Sequence, residues 1–339
     1  MTSSLRRALP LLALALMLGP AAKARAGQSL GDQRVGTSSG TFLRIGVGAR
    51  AIGLGESFVA VANDPSAIYW NPAGLASMQR SELLLSHVEW PADIRYEHVA
   101  WALPVRRFGG SVAFQFGVLS TEINETTELQ PFGTGNSFFY SDAVVGAAYA
   151  RRWTDKLLVG AGAKFVREDL GSDVGGPVTN VVLVDIGSIY YLGFGSVRIA
   201  TSLSNFGSQF KPQSKTDGGQ WVSSVTGEKR NYDGFDPPTV FRYGIAFEPI
   251  ENAQQRLTTS IEANQPSDNA LVMKAGAEWT WNSRMALRTG YNFNSDELKF
   301  SAGAGLYAGL GQSKLNIDYA YTQGDFLGAI NRVSLGVRF

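Results

Sequence analysis

Leu298-Lys299-Phe300-Ser301-Ala302-Gly303-Ala304-Gly305-Leu306-Tyr307-Ala308-Gly309 reads with a period of two: Leu298, Phe300, Ala302, Ala304, Leu306 and Ala308 fall on one face, and Lys299, Ser301, Gly303, Gly305, Tyr307 and Gly309 on the other. Successive side chains point to opposite sides only in an extended strand, so this stretch is a β-strand with one apolar face. The next stretch repeats the pattern, with Leu315, Ile317, Tyr319 and Tyr321 opposite Lys314, Asn316, Asp318 and Ala320. Earlier in the chain, Met285, Leu287, Tyr291 and Phe293 stand against Arg284, Arg288 and Asn292, and Phe241, Tyr243, Ile245 and Phe247 against Arg242, Gly244 and Glu248. From Ser81 to Phe339 the chain is made of such units, each followed by a cluster of turn residues. They begin near Ser81, Ile94, Phe108, Asp142, Lys156, Asn180, Ser196, Pro238, Arg256, Asn269, Arg284, Leu298, Ser313 and Gly328, which predicts fourteen strands.

Composition agrees with an all-β chain. The 339 residues include 39 glycines and no cysteine, 44% are hydrophobic and only 17% charged. Glycine at this density penalises helices. The net charge of +1 argues against a nucleic-acid partner, and a mean hydropathy of −0.05 excludes several apolar helical spans. Without cysteine the fold is held by its hydrogen-bond ladder and packing.

The apolar faces could form the interior of a soluble sandwich or, inverted, the outside of a transmembrane barrel whose lumen is polar. Three features favour the barrel. Trp90, Trp101, Trp153, Tyr190, Trp279 and Trp281 fall near strand ends, where interfacial girdles sit. Residues 1–26 have the grammar of a secretory signal peptide: Arg6 and Arg7, an apolar run from Ala8 to Leu18, and the small-residue site Ala24-Arg25-Ala26. The last strand puts Val333, Leu335, Val337 and the terminal Phe339 on one face, which resembles the assembly signal of bacterial outer-membrane barrels. Long links (Ser120 to Ser141, Glu168 to Thr179, Phe206 to Pro237) alternate with short ones (Thr154-Asp155, Gly193 to Gly195, Pro249 to Asn252). Outer-membrane barrels carry long loops outside and short turns on the periplasmic side. That rule predicts a periplasmic carboxyl terminus and a periplasmic amino-terminal segment.

Residues 27–80, between the signal peptide and the barrel of residues 81–339, do not alternate. Asp64 before Pro65 is a helix-start signal, and Pro72 ends that short helix near Trp70. A Gly-rich segment of turns and short helices placed ahead of a barrel is expected to fold inside it as a plug, or hatch.

This segment carries a resemblance. Gly48-Ala49-Arg50-Ala51 with Gly53 and Gly55, then Phe58 to Asp64, then Tyr69-Trp70-Asn71-Pro72-Ala73-Gly74-Leu75-Ala76 is similar to the amino-terminal signature of the PorV/PorQ family, itself related to the FadL-like barrels. The resemblance implies a 14-stranded antiparallel transmembrane β-barrel of FadL-like form with an amino-terminal hatch, in the bacterial outer membrane. It implies one of two functions. PorV-type members serve type IX protein secretion, with secreted cargo and secretion-machinery subunits as partners, whereas FadL-type members pass long-chain fatty acids and other hydrophobic molecules. Gly48, Arg50, Gly53, Gly55, Asp64, Asn71, Pro72 and Gly74 are then the hatch residues, structural or gating. Phe210, Trp221, Tyr232 and Phe235, in the longest link, are candidate aromatics of an external recognition loop.

No enzymatic chemistry is expected. Gly46-x-Gly48-x-x-Ala51 lacks the strand and the acidic residue of a dinucleotide fingerprint. His87 and His98 stand without a nucleophile fixed beside them. With no cysteine and two histidines there is no metal-ligand cluster, and no cofactor is expected. The charges Arg242, Glu248, Glu262, Lys274, Glu278, Arg284, Arg288, Lys299 and Asp318 share the polar faces and are expected to pair with one another and with the hatch.

Overall fold

The computed structural model describes residues 34–174, 176–213, 220–222, 227–326 and 328–339; the expected signal peptide lies outside the described residues. Fourteen antiparallel strands close into one barrel. They are β1 (Glu82–Trp90), β2 (Ile94–Val105), β3 (Gly110–Asn124), β4 (Ser137–Arg152), β5 (Leu157–Leu170), β6 (Val178–Tyr191) and β7 (Arg198–Gly207). A small hairpin, β8 (Gln220–Val222) with β9 (Lys229–Asn231), stands in the following link. The wall resumes with β10 (Val240–Glu251), β11 (Gln255–Pro266), β12 (Val272–Trp281), β13 (Met285–Phe293), β14 (Leu298–Leu310), β15 (Ser313–Gly324) and β16 (Ala329–Arg338). Each barrel strand pairs with its neighbour along the chain, and β16 closes on β1 from Glu82↔Arg338 to Glu89↔Asn331.

The side-chain distribution is inverted relative to a soluble protein. Arg242, Glu262, Lys274, Glu278, Arg288, Asp318 and Arg332 are buried inside, while Phe114, Phe116, Phe165, Leu287, Phe300, Leu306 and Ile317 are exposed on the outer wall. Water would penalise such an exterior and hydrocarbon would not, so the wall is membrane-spanning. Among the described residues no helix is long and apolar enough to cross a membrane.

Three sequence expectations need correction. Strand β4 begins at Ser137 rather than near Asp142, and β3 runs on to Asn124, so their hairpin extends past the residues that alternate. Backbone pairing continues there although Glu122 and Ser137 no longer face lipid. Trp90 belongs to no girdle: it shares the inward face with Ser86 and Val88, and the Arg332 guanidinium lies 5.6 Å from its ring. Arg284 sits exposed in a turn, and Lys299 pairs with Asp325 at the rim, so neither lies in the lumen.

The links fall into two sets. At one end, the turn end, they are residues 106–109, 153–156, 192–197, 252–254, 282–284 and 311–312; at the other, the loop end, they include the long links 125–136 and 208–239. The carboxyl terminus is at the turn end.

The position of Ala304 midway along β14, facing out, gives a direct check on the membrane reading. Ala304→Arg is expected to cost about 2–4 kcal/mol of folding stability and Ala308→Arg, nearer the turn end, about 0–1 kcal/mol, in urea titrations of the chain folded into phospholipid vesicles.

Candidate functional site

Inside the wall, residues 34–81 form the hatch. It comprises a 3-10 turn (Thr41–Arg44), a one-and-a-half-turn helix α1 (Ala49–Gly53), a single-turn helix α2 (Ala67–Trp70) and a 3-10 helix (Pro72–Ser77). Its apolar side chains pack on one another: Phe58 stands edge-on to Trp70 at 6.1 Å, Tyr69 to Trp70 at 4.8 Å, and the Trp70 indole N–H donates to the Val47 carbonyl at 3.0 Å. Asp64 acts slightly differently from the sequence expectation. Its carboxylate accepts from the Ser66 N–H at 3.0 Å, but Pro65 is not helical and α2 begins two residues later, at Ala67. Pro72 ends α2 after Trp70 and opens the next 3-10 helix.

The hatch runs through the barrel from end to end, which corrects the expected position of the amino-terminal segment. Residues 34–44 lie at the loop end, opposite the carboxyl terminus. Arg34 pairs with Asp236 at 2.6 Å and Arg44 with Asp268 at 2.8 Å, and both acids belong to loop-end links. Ser39 Oγ and Gly40 N donate to the Glu168 carboxylate at 2.8 and 2.6 Å. From there the chain descends to β1, which starts at the turn end. Turn lengths reveal which end of a strand is which, and they say nothing about where a non-strand segment begins.

Two kinds of contact hold the hatch. The first is polar and reaches from the wall to the hatch. Arg50 binds Glu278 through two parallel bonds of 2.9 Å, and its third nitrogen donates to Asn63 and Asp64 at 2.6 and 3.0 Å. Glu278 also accepts from Arg288 at 2.7 Å, and Arg288 reaches Asp318 at 2.6 Å, so two guanidinium groups and three carboxylates form one network. Glu262 accepts from the Phe58 and Val59 amides, both at 2.9 Å; Ser260 donates to the Ser57 carbonyl at 2.7 Å and Arg198 to the Ala60 carbonyl at 2.6 Å. Lys274 pairs with Glu56 at 2.6 Å. Arg242 lies over the rings of Tyr69 and Trp70 at 5.7 and 5.5 Å.

The second kind is steric. Gly53 in α1 backs onto Gly303 in β14 so closely that a Cβ on either would stand about 3 Å from the other's Cα. Gly55, held at φ +62°, lies against Gly290, where a Cβ would collide with the Gly55 backbone. Gly160 meets the backbone of Pro72 and Ala73 in the same way, and Gly187 makes room for the Asn71 side chain. The polar faces of these strands are therefore glycine-rich because the hatch backbone occupies the space of the missing side chains.

Every hatch residue singled out in the sequence serves this assembly. Gly48, at φ +82°, precedes α1 and donates to Ser86 Oγ at 3.2 Å. Asn71, fully buried, donates to the carbonyls of Val59 and of Ser188 on β6 and accepts from Ala73 N. A Cβ on Gly74 would strike the Ala62 carbonyl. The loop aromatics fare differently. Phe210 is not exposed: it is buried over Gly40 at the barrel mouth, in a bridge with Phe235. Tyr232 is half-buried, Phe235 is exposed, and the Trp221 side chain lies outside the described residues. His98 is buried on Gln115, and His87 faces Glu97 on the outer wall. The sequence reading missed Arg198, Glu168 and Asp268, whose strands or links gave no sign of what lies opposite them.

A fourteen-stranded transmembrane barrel filled by an amino-terminal hatch defines the class of this protein. The model of an uncharacterised protein family (UPF0164) matches residues 17–150, the stretch holding the hatch and the first strands of the wall. No curated protein matches the chain. Among solved structures it is similar to the CymD monoaromatic hydrocarbon channel, with 14% identity and a TM-score of 0.57 over 87% of this chain and 97% of that one. It is also similar to the Ralstonia pickettii toluene transporter TbuX, with 14% identity and a TM-score of 0.56 over 86% and 97%. A Pseudomonas aeruginosa FadL homologue aligns at 10% identity with a TM-score of 0.50 over 85% and 97%. The likeness is one of fold, and it spans nearly the whole of each neighbour.

Removing one member of the Arg50–Glu278–Arg288 network leaves buried guanidinium groups facing each other. Glu278→Ala is expected to weaken the hatch by about 3–5 kcal/mol, seen in hydrogen exchange as lost protection over residues 48–63 while the strands of the wall stay protected.

Proposed function

We propose that this chain is an outer-membrane transport barrel that passes a small hydrophobic molecule inward past its hatch. The loop end then faces the exterior and the turn end the periplasm, and residues 1–26 act as the export signal. The observation that carries this reading is the way the hatch is held. Among the described residues its contacts to the wall are side-chain hydrogen bonds, ion pairs and apolar and glycine packing, its backbone bond to Asp236 lies in a loop-end link, and none belongs to the barrel ladder, so the hatch can shift while the wall stays closed. At the exterior mouth the buried Phe210 on Gly40 and Phe42 against Tyr96, ring centroids 6.3 Å apart, form an apolar cover that a hydrophobic molecule would displace. The fold likeness to hydrocarbon channels supports the same reading. No step in it requires a catalytic group or a cofactor.

The PorV/PorQ resemblance of the hatch motif carries the other reading, a secretion role with protein cargo. Against it stands the placement of the motif: Gly48, Arg50, Gly53, Gly55, Asn71, Pro72 and Gly74 all hold the hatch inside the lumen, and none presents a surface to a protein partner.

Ala49 and Ser334 supply the test, because the chain has no cysteine and an introduced pair is the only thiol chemistry present. The Ala49 N–H donates to Ser334 Oγ at 2.8 Å, so Ala49→Cys with Ser334→Cys sets a thiol of the hatch beside one of the wall, within the Cα separation a disulfide can span. In cells lacking their own hydrophobic transporters, the native barrel is expected to raise uptake of radiolabelled toluene or oleate. The oxidised double variant is expected to block that uptake and a reductant to restore it. Uptake no higher than in cells without the barrel would overturn the transport reading, and equal uptake by the oxidised and reduced variant would overturn the role of the hatch.

A further inference from the structure

The outer wall carries a depression on β3, β4 and β5. In register, Phe114, Ala147 and Ala163 lie side by side, and Val112, Tyr149 and Ala161 form the next outward row toward the turn end. Three of these six side chains are a single methyl group, so the wall recedes into a groove of about 400 Å³. Toward the middle of the membrane the following row, Phe116, Val145 and Phe165, is large and exposed, and closes the groove. No backbone edge is open here: β3–β4 and β4–β5 pair without interruption through this region. A second polypeptide therefore has no strand to extend.

Directly below the groove the charge is one-sided. Arg151 follows Ala147 and Tyr149 on the same outward face, and its guanidinium lies 5.3 Å from the ring of Trp153. Arg107 and Lys156 are exposed in the adjoining turns, and Arg152, the last residue of β4, is exposed beside them. Among the described residues none of these four cations forms an ion pair, and within residues 151–156 the single acid is Asp155. Elsewhere at the turn end Glu251 stands opposite Arg256 and Glu82 pairs with Arg338, while Arg80, Arg284 and Lys314 stand singly and not as a cluster in sequence. Unpaired cations at a membrane interface attract anionic headgroups, and guanidinium groups suit phosphate oxygens.

We propose that this groove and its cations form a binding site for one anionic phospholipid of the periplasmic leaflet. An acyl chain lies along the alanine floor, and the phosphate sits among Arg107, Arg151, Arg152 and Lys156. From Ala147 to Arg151 the strand rises about 14 Å, which sets the phosphate one interfacial layer below the apolar groove. Tyr149 forms the border between the two, its hydroxyl donating to the Phe108 carbonyl at 2.7 Å. The site rests on the membrane placement argued above and not on transport, so a barrel that moved no hydrocarbon would still hold its lipid.

Native mass spectrometry of the mature chain, released from a non-ionic detergent, reads this directly with phosphatidylglycerol and phosphatidylethanolamine as separate probes. The expected result is one phosphatidylglycerol retained per barrel at concentrations where phosphatidylethanolamine is not. The triple variant Arg151→Gln, Arg152→Gln, Lys156→Gln should bind at least about tenfold more weakly. Ala161→Trp, which fills the groove and keeps every cation, should also lose retention. All the changed residues lie on the outer surface, and heat-dependent gel mobility checks that each variant remains a folded barrel. Equal retention of the two lipids by the native chain, or native-like binding by either variant, would overturn the site.

Discussion

Hydrocarbon offers no hydrogen-bond partner to a peptide group, and the rest of this structure follows from that constraint. A sheet in lipid cannot keep an edge, so β1 and β16, nearly the whole barrel apart in sequence, must find each other. Closing fourteen strands leaves a lumen too wide for side chains of the wall alone to fill. The chain fills it with its own first described residues, and the polar faces of the strands then become a buried interface. Most charges in such a place are paired, Glu278 with Arg50 and Arg288, Lys274 with Glu56 and Arg198 with Glu248, while Arg332 rests on the Thr322 hydroxyl and the Trp90 ring.

The sequence showed the wall clearly because lipid and lumen impose opposite demands on alternate residues. Alternation in Leu298 to Gly309 or Phe241 to Glu248 needs no knowledge of the neighbours to be recognised. Where the two demands stop, the signal stops before the structure does. The β3–β4 hairpin continues past the membrane without alternating, and Trp90 looks like a girdle residue until its inward parity is counted. Strand number survives such errors because it depends on turns, while strand length does not.

The hatch was legible as an exception to the alternation, and its place at the loop end was not. Asn71-Pro72 and the glycines from Gly48 to Gly55 announce turns, but their partners Gly160, Gly187, Gly290 and Gly303 are scattered over β5, β6, β13 and β14. A glycine on a polar strand face has the same appearance in sequence whether it leaves an empty lumen or makes room for a second backbone. Phe210 was misplaced for a related reason: an aromatic in a long link could equally reach out to a partner or fold back over Gly40, and only the packed structure shows which.

The hatch and the wall are therefore fastened by different physics, and this has a consequence for motion. Ladder hydrogen bonds in lipid have no competitor, so opening the wall costs each broken bond in full. Hatch contacts are side-chain bonds and packing between two surfaces that part without opening the sheet, and water entering the parted seam can rehydrate the charges it frees. Separating Arg50 from Glu278 severs one ion pair, whereas opening β1 from β16 exposes the backbone of eight paired positions to hydrocarbon at once. The least costly rearrangement open to this molecule is therefore a shift of residues 34–81 within an unchanged barrel, along the seam where Gly53 and Gly55 meet Gly303 and Gly290.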